Sequence, residues 1–134
     1  WSVVFAYNQN TIGGTKAASI GDFFDTAKIP GKRALRKRPQ VNLEWALIAD
    51  GVAPADVYKV LATPEGQDRA FAKLDTIRDS IVWFDSWSQA PQLLNDGGAV
   101  IVFDTATLKE IKRISMDGPV GAYNLHNQIA RPEP

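Results

Sequence analysis

The chain has 134 residues, of which 45% are hydrophobic and 22% charged, and this size and composition are typical of one globular domain. Its fifteen basic and fifteen acidic residues cancel, so the net charge gives no reason to expect a nucleic acid or a membrane surface as partner. The chain has no cysteine, which excludes disulfides and thiolate metal sites, and no apolar run that approaches the roughly 18–20 residues of a membrane span.

The first forty residues predict a strand, a short helix and a second extended segment. β-Branched and aromatic residues predict a strand over Trp1–Tyr7, and a polar loop follows it. A capping pattern at Ser19–Asp22 predicts a helix from Asp22 to Ala27 that ends at Pro30 and Gly31. The basic segment 32–38 fits either a short strand or an extended loop.

The middle of the chain is predicted to be helical. Asn42 is suited to cap a helix that runs to Asp50, with Gly51 as its stop. Thr63 and Pro64 begin a longer helix with an acidic first turn. Its apolar residues recur at helical spacing and are Ala70, Phe71, Leu74, Ile77 and Ile81.

Two short apolar runs complete the predicted sheet. Residues 81–84 and 99–103 have the length and composition of buried strands, and a short helix over 91–96 separates them. Strands that alternate with helices predict an α/β fold with a mostly parallel sheet flanked by helices. Residues 105–115 fit either the second strand of a hairpin or a short helix. The tail that begins at Asp117 has few apolar side chains that could be buried in a core.

The sequence favours no catalytic chemistry. His126 is the one histidine, which leaves little material for a histidine triad or a multi-histidine metal site. Gly13-Gly14 lacks the spacing of a phosphate-binding loop, and no dinucleotide fingerprint follows a strand. We therefore expect a protein that is not an enzyme, with no cofactor and no metal.

A basic cluster from Lys28 to Arg38 holds six cations in eleven residues. These cations could meet phosphates or an acidic partner. The alternative is a solvated edge strand that its charges protect from aggregation. We favour the edge strand, because no aromatic side chains are interleaved with the cations as base-stacking platforms would be.

The segment Trp83–Gln89 is the most informative stretch for function. It spans the end of a predicted strand and the start of a helix, where α/β sheets bind ligands. Asp85 supplies a charge, Trp87 an aromatic face, and Ser86 and Gln89 hydrogen-bonding groups, a set that suits a flexible organic cation. The alternative is that the serines only cap the helix, and Trp83 and Phe84 are most simply core residues.

Several segments, in order, resemble one known family. They are Trp1-Ser-Val-Val-Phe-Ala-Tyr-Asn8, Asp22-Phe-Phe-Asp25 with Ile29-Pro-Gly-Lys-Arg-Ala-Leu-Arg36, Asn42-Leu-Glu-Trp-Ala-Leu-Ile-Ala-Asp-Gly51, Asp68-Arg-Ala-Phe-x-Lys-Leu74 and Ser88-Gln-Ala-Pro-Gln-Leu-Leu-Asn-Asp-Gly97. Residues 1–102 are in this way similar to periplasmic solute-binding proteins of ABC importers, of the spermidine/putrescine type. The resemblance implies one lobe of a two-lobed protein, half of a type 2 periplasmic-binding-protein fold.

The resemblance also implies a set of ligand-binding residues. Trp1 and Tyr7 would flank the interlobe strand, and Asn42 and Glu44 would begin the first helix of the lobe. Asp85 and Glu44 would face the amines of a polyamine, Trp87 and Trp1 would stack on its methylenes, and Ser86 and Gln89 would hydrogen-bond to it. Half a cleft buries only half a ligand, so the affinity of the lobe alone is in question.

The end of the chain departs from this pattern. Residues 103–129 resemble the closing segment of the propeller of haem-d-type nitrite reductases. One such segment cannot close a propeller, whose blades each have about four strands, so haem binding is not implied. We therefore expect two units, a solute-binding lobe over residues 1–102 and an extension of different origin over residues 103–134.

Two functions follow as expectations. The first is capture of a small cationic, polyamine-like solute in the periplasm, with an ABC permease as partner, although the chain shows no signal peptide and begins at Trp1. The second is a structural scaffold that self-associates as a homo-oligomer through the exposed interlobe face. Neither function includes nucleic acid or insertion into a membrane.

Overall fold

Five strands and five helices make up the part of the chain that the computed structural model describes, which is residues 3–8, 17–97, 100–104 and 120–124. Three-residue helical turns lie at Pro54–Asp56, Arg78–Ser80 and Trp87–Gln89. In chain order the strands and helices are β1 (Val3–Asn8), α1 (Ile20–Phe24), β2 (Arg33–Arg36), α2 (Asn42–Ala49), α3 (Val57–Leu61), α4 (Pro64–Asp75), β3 (Ile81–Phe84), α5 (Ala90–Gly97), β4 (Val100–Asp104) and β5 (Val120–Asn124).

The strands form one sheet in the order β3-β2-β4-β1-β5. Strand β2 pairs in parallel with both β3 and β4, whereas β1 pairs antiparallel with β4 and β5. Among the described strands β1 alone therefore runs against the others. This arrangement confirms the predicted α/β fold with a mostly parallel sheet, and it puts the carboxyl ends of β2 and β3 at the same edge.

Both faces of the sheet are covered. Phe5 and Leu35 belong to the main core, which the helices α1 to α4 complete on one face. Phe5, Phe23 and Trp45 meet edge to face in this core, with ring centroids 5.7–6.0 Å apart. On the opposite face α5 packs against β1 and β4, and its Leu94 is buried.

The strand within the basic cluster, β2, lies in the interior of the sheet, which corrects the prediction of an edge strand. Strand β2 has a neighbour on each side, and Arg33 at its start is fully buried. The Arg33 guanidinium donates to the carbonyl oxygens of Phe23, Asp25, Ile29 and Gly31 at 2.6–3.1 Å. Burial lowers its pKa, which Asp25 partly offsets, but an arginine stays charged. The cation therefore serves to end α1 and hold the loop that leads into β2.

The predicted helix boundaries need three corrections. Helix α4 ends at Asp75, so Ile77 and Ile81, which the helical spacing assigned to it, lie after it, and Ile81 begins β3. Helix α1 occupies Ile20–Phe24 rather than Asp22–Ala27, because Arg33 takes up the carbonyls where a further turn would form. Asn42 is the first residue of α2 rather than its cap, and its amide points back to the preceding loop. Helix α4 begins as predicted, with Thr63 Oγ1 accepting from the N–H of Gly66 at 3.1 Å.

The prediction that Trp83 and Phe84 are core residues is right for Phe84 and wrong for Trp83. Phe84 is only 2% exposed, whereas Trp83 is 50% exposed. Successive residues of a strand point to opposite faces of the sheet, and at β3, which lies at one end of the sheet that the described strands form, the face with Phe84 is covered and the face with Trp83 is open. Phe71, which the helical spacing assigned to the buried face of α4, is likewise 53% exposed.

The end of the chain contributes one described strand. Strand β5 pairs with β1 through residues 120–124, so it belongs to the same sheet as the preceding strands. Residues 105–115 and His126, for which the sequence offered predictions, lie outside the described residues. The predicted division at residue 102 stays a prediction.

Candidate functional site

The ends of β2 and β3 meet at one edge of the sheet. Arg36 is in register with Phe84, and the N–H of Lys37 donates to the Phe84 carbonyl at 2.8 Å. Arg36 Nε lies 3.4 Å from the carbonyl oxygen of Asp85. We call the residues that follow these strands, 36–38 and 85–89, the carboxyl edge. Open α/β sheets bind ligands outside the carboxyl ends of their strands, so this edge is the candidate site.

The turn after β3 is organised by Gln89. Its Oε1 accepts from the backbone N–H groups of Asp85 and Ser86, both at 3.1 Å. The Ser86 and Ser88 hydroxyl oxygens lie 2.8 Å apart, and the N–H of Ser88 approaches Ser86 Oγ at 3.4 Å. The spacing from Ser86 to Gln89 is that of a capping box at the start of a helix. Asp85, Ser86, Ser88 and Gln89 are all exposed, so the turn presents its polar groups to solvent.

The loop after β2 is organised by Asn42. Its Nδ2 donates to the carbonyl oxygens of Arg36 at 2.8 Å and Arg38 at 2.7 Å. Glu44 Oε2 accepts from the N–H of Val41 at 2.6 Å. Asn42 and Glu44 are both buried, at 5% and 8% exposure. These two side chains therefore shape the loop that carries Lys37 and Arg38.

Val41 closes this loop in a strained conformation. Its φ of 76° lies in the left-handed region, which costs a β-branched residue of the order of 1–3 kcal/mol. The hydrogen bond from its N–H to Glu44 and the one from the Trp45 N–H to its carbonyl at 2.9 Å hold it there. The turn into α2 is thus determined by its surroundings rather than by the preference of Val41.

The structure brings some of the predicted site residues together and separates others. Asp85, Ser86 and Gln89 share the turn after β3, and Asn42 and Glu44 lie beside the adjacent loop. Tyr7 is instead a core residue, 4% exposed, with its hydroxyl accepting from the N–H of Ala17 at 3.3 Å. Trp1 lies outside the described residues, as does the side chain of Trp87, whose backbone belongs to the turn.

Sequence reasoning identified a basic cluster that includes Lys37 and Arg38 but did not assign these two cations to the ligand site. Lys37 and Arg38 are exposed, and neither side chain forms an ion pair or hydrogen bond with another described residue. The available signal was their position, because they follow a strand directly, as Asp85 does. The end of β2 therefore adds positive charge at the same edge of the sheet as Asp85, so this edge has groups of both signs.

The described residues offer no other recognisable chemistry. No group of three or more His, Asp or Glu side chains within them is arranged to hold a metal ion. No helix in the described part of the chain has the length and apolarity needed to cross a membrane. Asp22 has a lowered pKa, but its carboxylate is taken up by Lys28 and the backbone around the start of α1. The carboxyl edge remains the candidate.

Comparison with known proteins decides the family. Residues 1–110 match the family described as bacterial extracellular solute-binding proteins. The chain belongs to this family. A curated relative is the gamma-aminobutyric acid-binding protein of Pseudomonas aeruginosa, 48% identical over 101 residues, which are 75% of this chain and 28% of the relative. The chain thus spans less than a third of the length of that relative.

Solved structures of solute-binding proteins show the same fold. The PBP MotA from A. tumefaciens B6, in complex with glucopine, is 33% identical with a TM-score of 0.76 over 90% of this chain and 38% of its own. An ABC transporter substrate-binding protein from Bradyrhizobium japonicum USDA 110 is 40% identical with a TM-score of 0.67 over 90% of this chain and 36% of its own. Each likeness covers part of a larger protein.

The family assignment confirms the coarser predictions from the sequence. Solute-binding proteins of ABC transporters are not enzymes, as the absence of catalytic motifs predicted. The finer resemblances are not supported in the same way. The relatives named above are described with gamma-aminobutyric acid and glucopine rather than a polyamine, and none is a nitrite reductase.

Proposed function

We propose that the chain is part of a periplasmic solute-binding lobe of an ABC importer, which captures a small charged solute at the carboxyl edge without catalysis. The family supports the role, and a substrate-binding protein of an ABC transporter is among its structural relatives. The observation that carries the location is the meeting of the β2 and β3 ends, because exposed residues of both charges directly follow these two strands.

The charges at this edge favour a solute with both an ammonium and a carboxylate group. The end of β3 supplies the Asp85 carboxylate, and the end of β2 supplies Lys37 and Arg38. Lys37 and Arg38 would repel the ammonium groups of a polyamine. An amino acid such as gamma-aminobutyric acid has a carboxylate that can pair with these two cations and an ammonium group that can pair with Asp85. The description of the Pseudomonas aeruginosa relative supports the same class.

Each residue of the site then has a proposed role. Asp85 accepts hydrogen bonds from the ammonium group, and Lys37 and Arg38 bind the carboxylate. The Ser86 hydroxyl hydrogen-bonds to the solute. Trp87 stacks on its methylenes, and we propose the same for Trp1. Glu44 is less suited to face an amine, because it is buried and accepts from the Val41 N–H.

The polyamine interpretation remains the competing proposal for the solute. It rests on the sequence resemblance and on the presence of Asp85 and Trp87 in the same short segment of the sequence, since aromatic rings and carboxylates both attract ammonium groups. It differs from the amino-acid proposal in one measurable respect. Removal of the Lys37 and Arg38 charges strengthens the binding of putrescine and weakens the binding of an amino acid.

Calorimetric titration of the full chain with gamma-aminobutyrate, putrescine and spermidine tests both proposals. We expect binding of the amino acid, weakened about tenfold or more both in Asp85→Asn and in the double variant Lys37→Met/Arg38→Met. Lys59→Met, which removes an exposed cation on α3, serves as control. Heats equal to those of buffer for all three solutes at millimolar concentration would exclude independent capture by this chain.

An exposed tryptophan supports a second candidate function, a scaffold that self-associates. Trp83 is half exposed on β3, which lies at one end of the sheet formed by the described strands, and a strand in that position is suited to pair with another strand. Light scattering across a range of concentrations distinguishes this candidate. A homo-oligomer that Trp83→Lys dissociates supports it, and a monomer at every concentration contradicts it.

A further inference from the structure

Two side-chain amides at the carboxyl edge each hold two backbone groups, and they use opposite ends of the amide to do so. Asn42 donates both hydrogens of Nδ2, to the carbonyls of Arg36 and Arg38. Gln89 accepts two hydrogens on Oε1, from the N–H groups of Asp85 and Ser86. An amide nitrogen has two hydrogens to donate and an amide oxygen has two lone pairs to accept with, so each of these atoms is fully used.

The two amides hold the segments that carry the charges. Asn42 fixes the backbone on both sides of Lys37, and Gln89 fixes the backbone of Asp85 itself. A backbone hydrogen bond of 2.8 Å from Lys37 to Phe84 joins the two segments. The backbone positions that carry the cations and the carboxylate are therefore connected by a continuous path of hydrogen bonds through both amides.

We propose that Asn42 and Gln89 are positioning residues, which fix the spacing of Lys37 and Arg38 from Asp85 and do not contact the solute through Asn42 Nδ2 or Gln89 Oε1. This inference rests on the proposed capture of a solute at the carboxyl edge. It revises the role that the sequence gave to both residues, which was to bind the ligand directly. A site held in this way loses less conformational freedom when a solute binds.

The proposal predicts opposite effects on affinity when the side-chain amide is replaced by a carboxylate at Asn42 and at Gln89. Asn42→Leu and Gln89→Leu remove each amide, and we expect both to weaken the binding of gamma-aminobutyrate by about tenfold. Gln89→Glu keeps an oxygen that can accept from the Asp85 and Ser86 N–H groups, so we expect it to bind with most of the affinity of the parent chain. Asn42→Asp has no N–H to donate and places a carboxylate against the carbonyl oxygens of Arg36 and Arg38. We therefore expect it to bind no better than Asn42→Leu.

A matched control separates this effect from added charge. Gln40→Glu adds one negative charge on the exposed surface of the same loop without touching either amide, and its affinity stays within about threefold of the parent chain. Melting temperature without solute is measured alongside. If Asn42→Leu and Gln89→Leu lower the melting temperature but leave the affinity unchanged, both amides have only a structural role and the proposal is overturned.

Two further results would overturn it. If Gln89→Glu and Asn42→Asp lose affinity equally, the solute contacts the amide nitrogens directly. If the Asp85 and Ser86 N–H groups exchange with solvent as fast in Gln89→Glu as in Gln89→Leu, the Gln89 contact does not exist in solution. This exchange measurement needs no solute, so it decides on the amide contacts even where titration shows that the proposed capture fails.

Discussion

Arg33 Nε donates to the carbonyl oxygen of Phe23 at 2.7 Å. The two residues are ten positions apart in the sequence, and both are fully buried. The same guanidinium reaches the carbonyls of Asp25, Gly31 and Ile29. A buried cation is tolerated only where its hydrogen bonds are made, and here four carbonyl oxygens make them. This single side chain ties the end of α1 to the start of β2.

Replacement of Arg33 by methionine is expected to destabilise the protein by about 3 kcal/mol or more, because it leaves several buried carbonyls without a donor. Lysine recovers only part of this loss, since an ammonium group cannot match the planar arrangement of the guanidinium. Urea unfolding measures the difference, with the exposed Lys59→Met as control. Equal stabilities of the Arg33 and Lys59 variants would refute the role given to Arg33.

The stability of the protein is expected to fall as the pH drops through the pKa of Asp22. Burial alone would raise this pKa, but hydrogen bonds from Lys28 Nζ and from the N–H groups of Ala18 and Ser19 outweigh it and hold the pKa below its ordinary value of 3.8. A carboxyl whose pKa is lower in the folded state stabilises the fold above the unfolded pKa, and this contribution is lost as the folded form is protonated.

Asn at position 22 removes the titrating group, so the stability of Asp22→Asn should depend less on pH below about 4 than that of the parent chain. Thermal melting between pH 2.5 and 6 provides the comparison. Asp68→Asn is the control, because Asp68 is exposed on α4. Parallel pH profiles for the parent chain and Asp22→Asn would contradict the assignment.

Gly66→Ala is expected to destabilise the protein by more than about 2 kcal/mol, although alanine is the better helix former. A Cβ at this buried position of α4 would overlap the carbonyl group of Val60 in α3, and backbone atoms cannot move aside as a flexible side chain does. Gly51→Ala is the comparison. Gly51 has φ of 92° and open space around it, so its cost is conformational alone, about 1 kcal/mol. Equal losses in chemical denaturation would argue against a close approach of the helices.

At position 41 the usual order of stability of alanine and glycine is expected to reverse. Val41→Ala keeps the Cβ that is strained at φ of 76°, whereas Val41→Gly removes it. We expect the glycine variant to be more stable than the alanine variant by about 1 kcal/mol. The same pair of changes at Val57 in α3, which is fully buried, should give the ordinary order, with alanine the more stable.

The secondary structure was largely predictable because its signals are local. Thr63 and Pro64 begin α4, Gly51 ends α2 with a positive φ, and residues 81–84 form a strand, as their residue types indicate. The order of the strands is not local. Nothing in the segment 33–36 shows that it has a strand on each side, so its basic flanks indicated an edge strand where the structure has an interior one.

The candidate site was predictable in its position but not in its charge. Asp85 to Gln89 follow a strand, and that alone placed them at a ligand-binding edge. Lys37 and Arg38 reach the same edge through the parallel pairing of β2 with β3, which is a long-range contact. The roles of Asn42 and Gln89 depend on which backbone groups their amides reach, and sequence spacing does not determine that.

Strand β1 has a consequence for the order in which the protein folds. It comprises residues 3–8, but its partners in the sheet are residues 101–104 and 120–124. During synthesis this strand emerges before both of its partners, which follow it by about a hundred residues. Pairing across so long a separation is slow to nucleate, so we expect closure of the sheet by β1 to be a late event, with the unpaired strand exposed to aggregation until then.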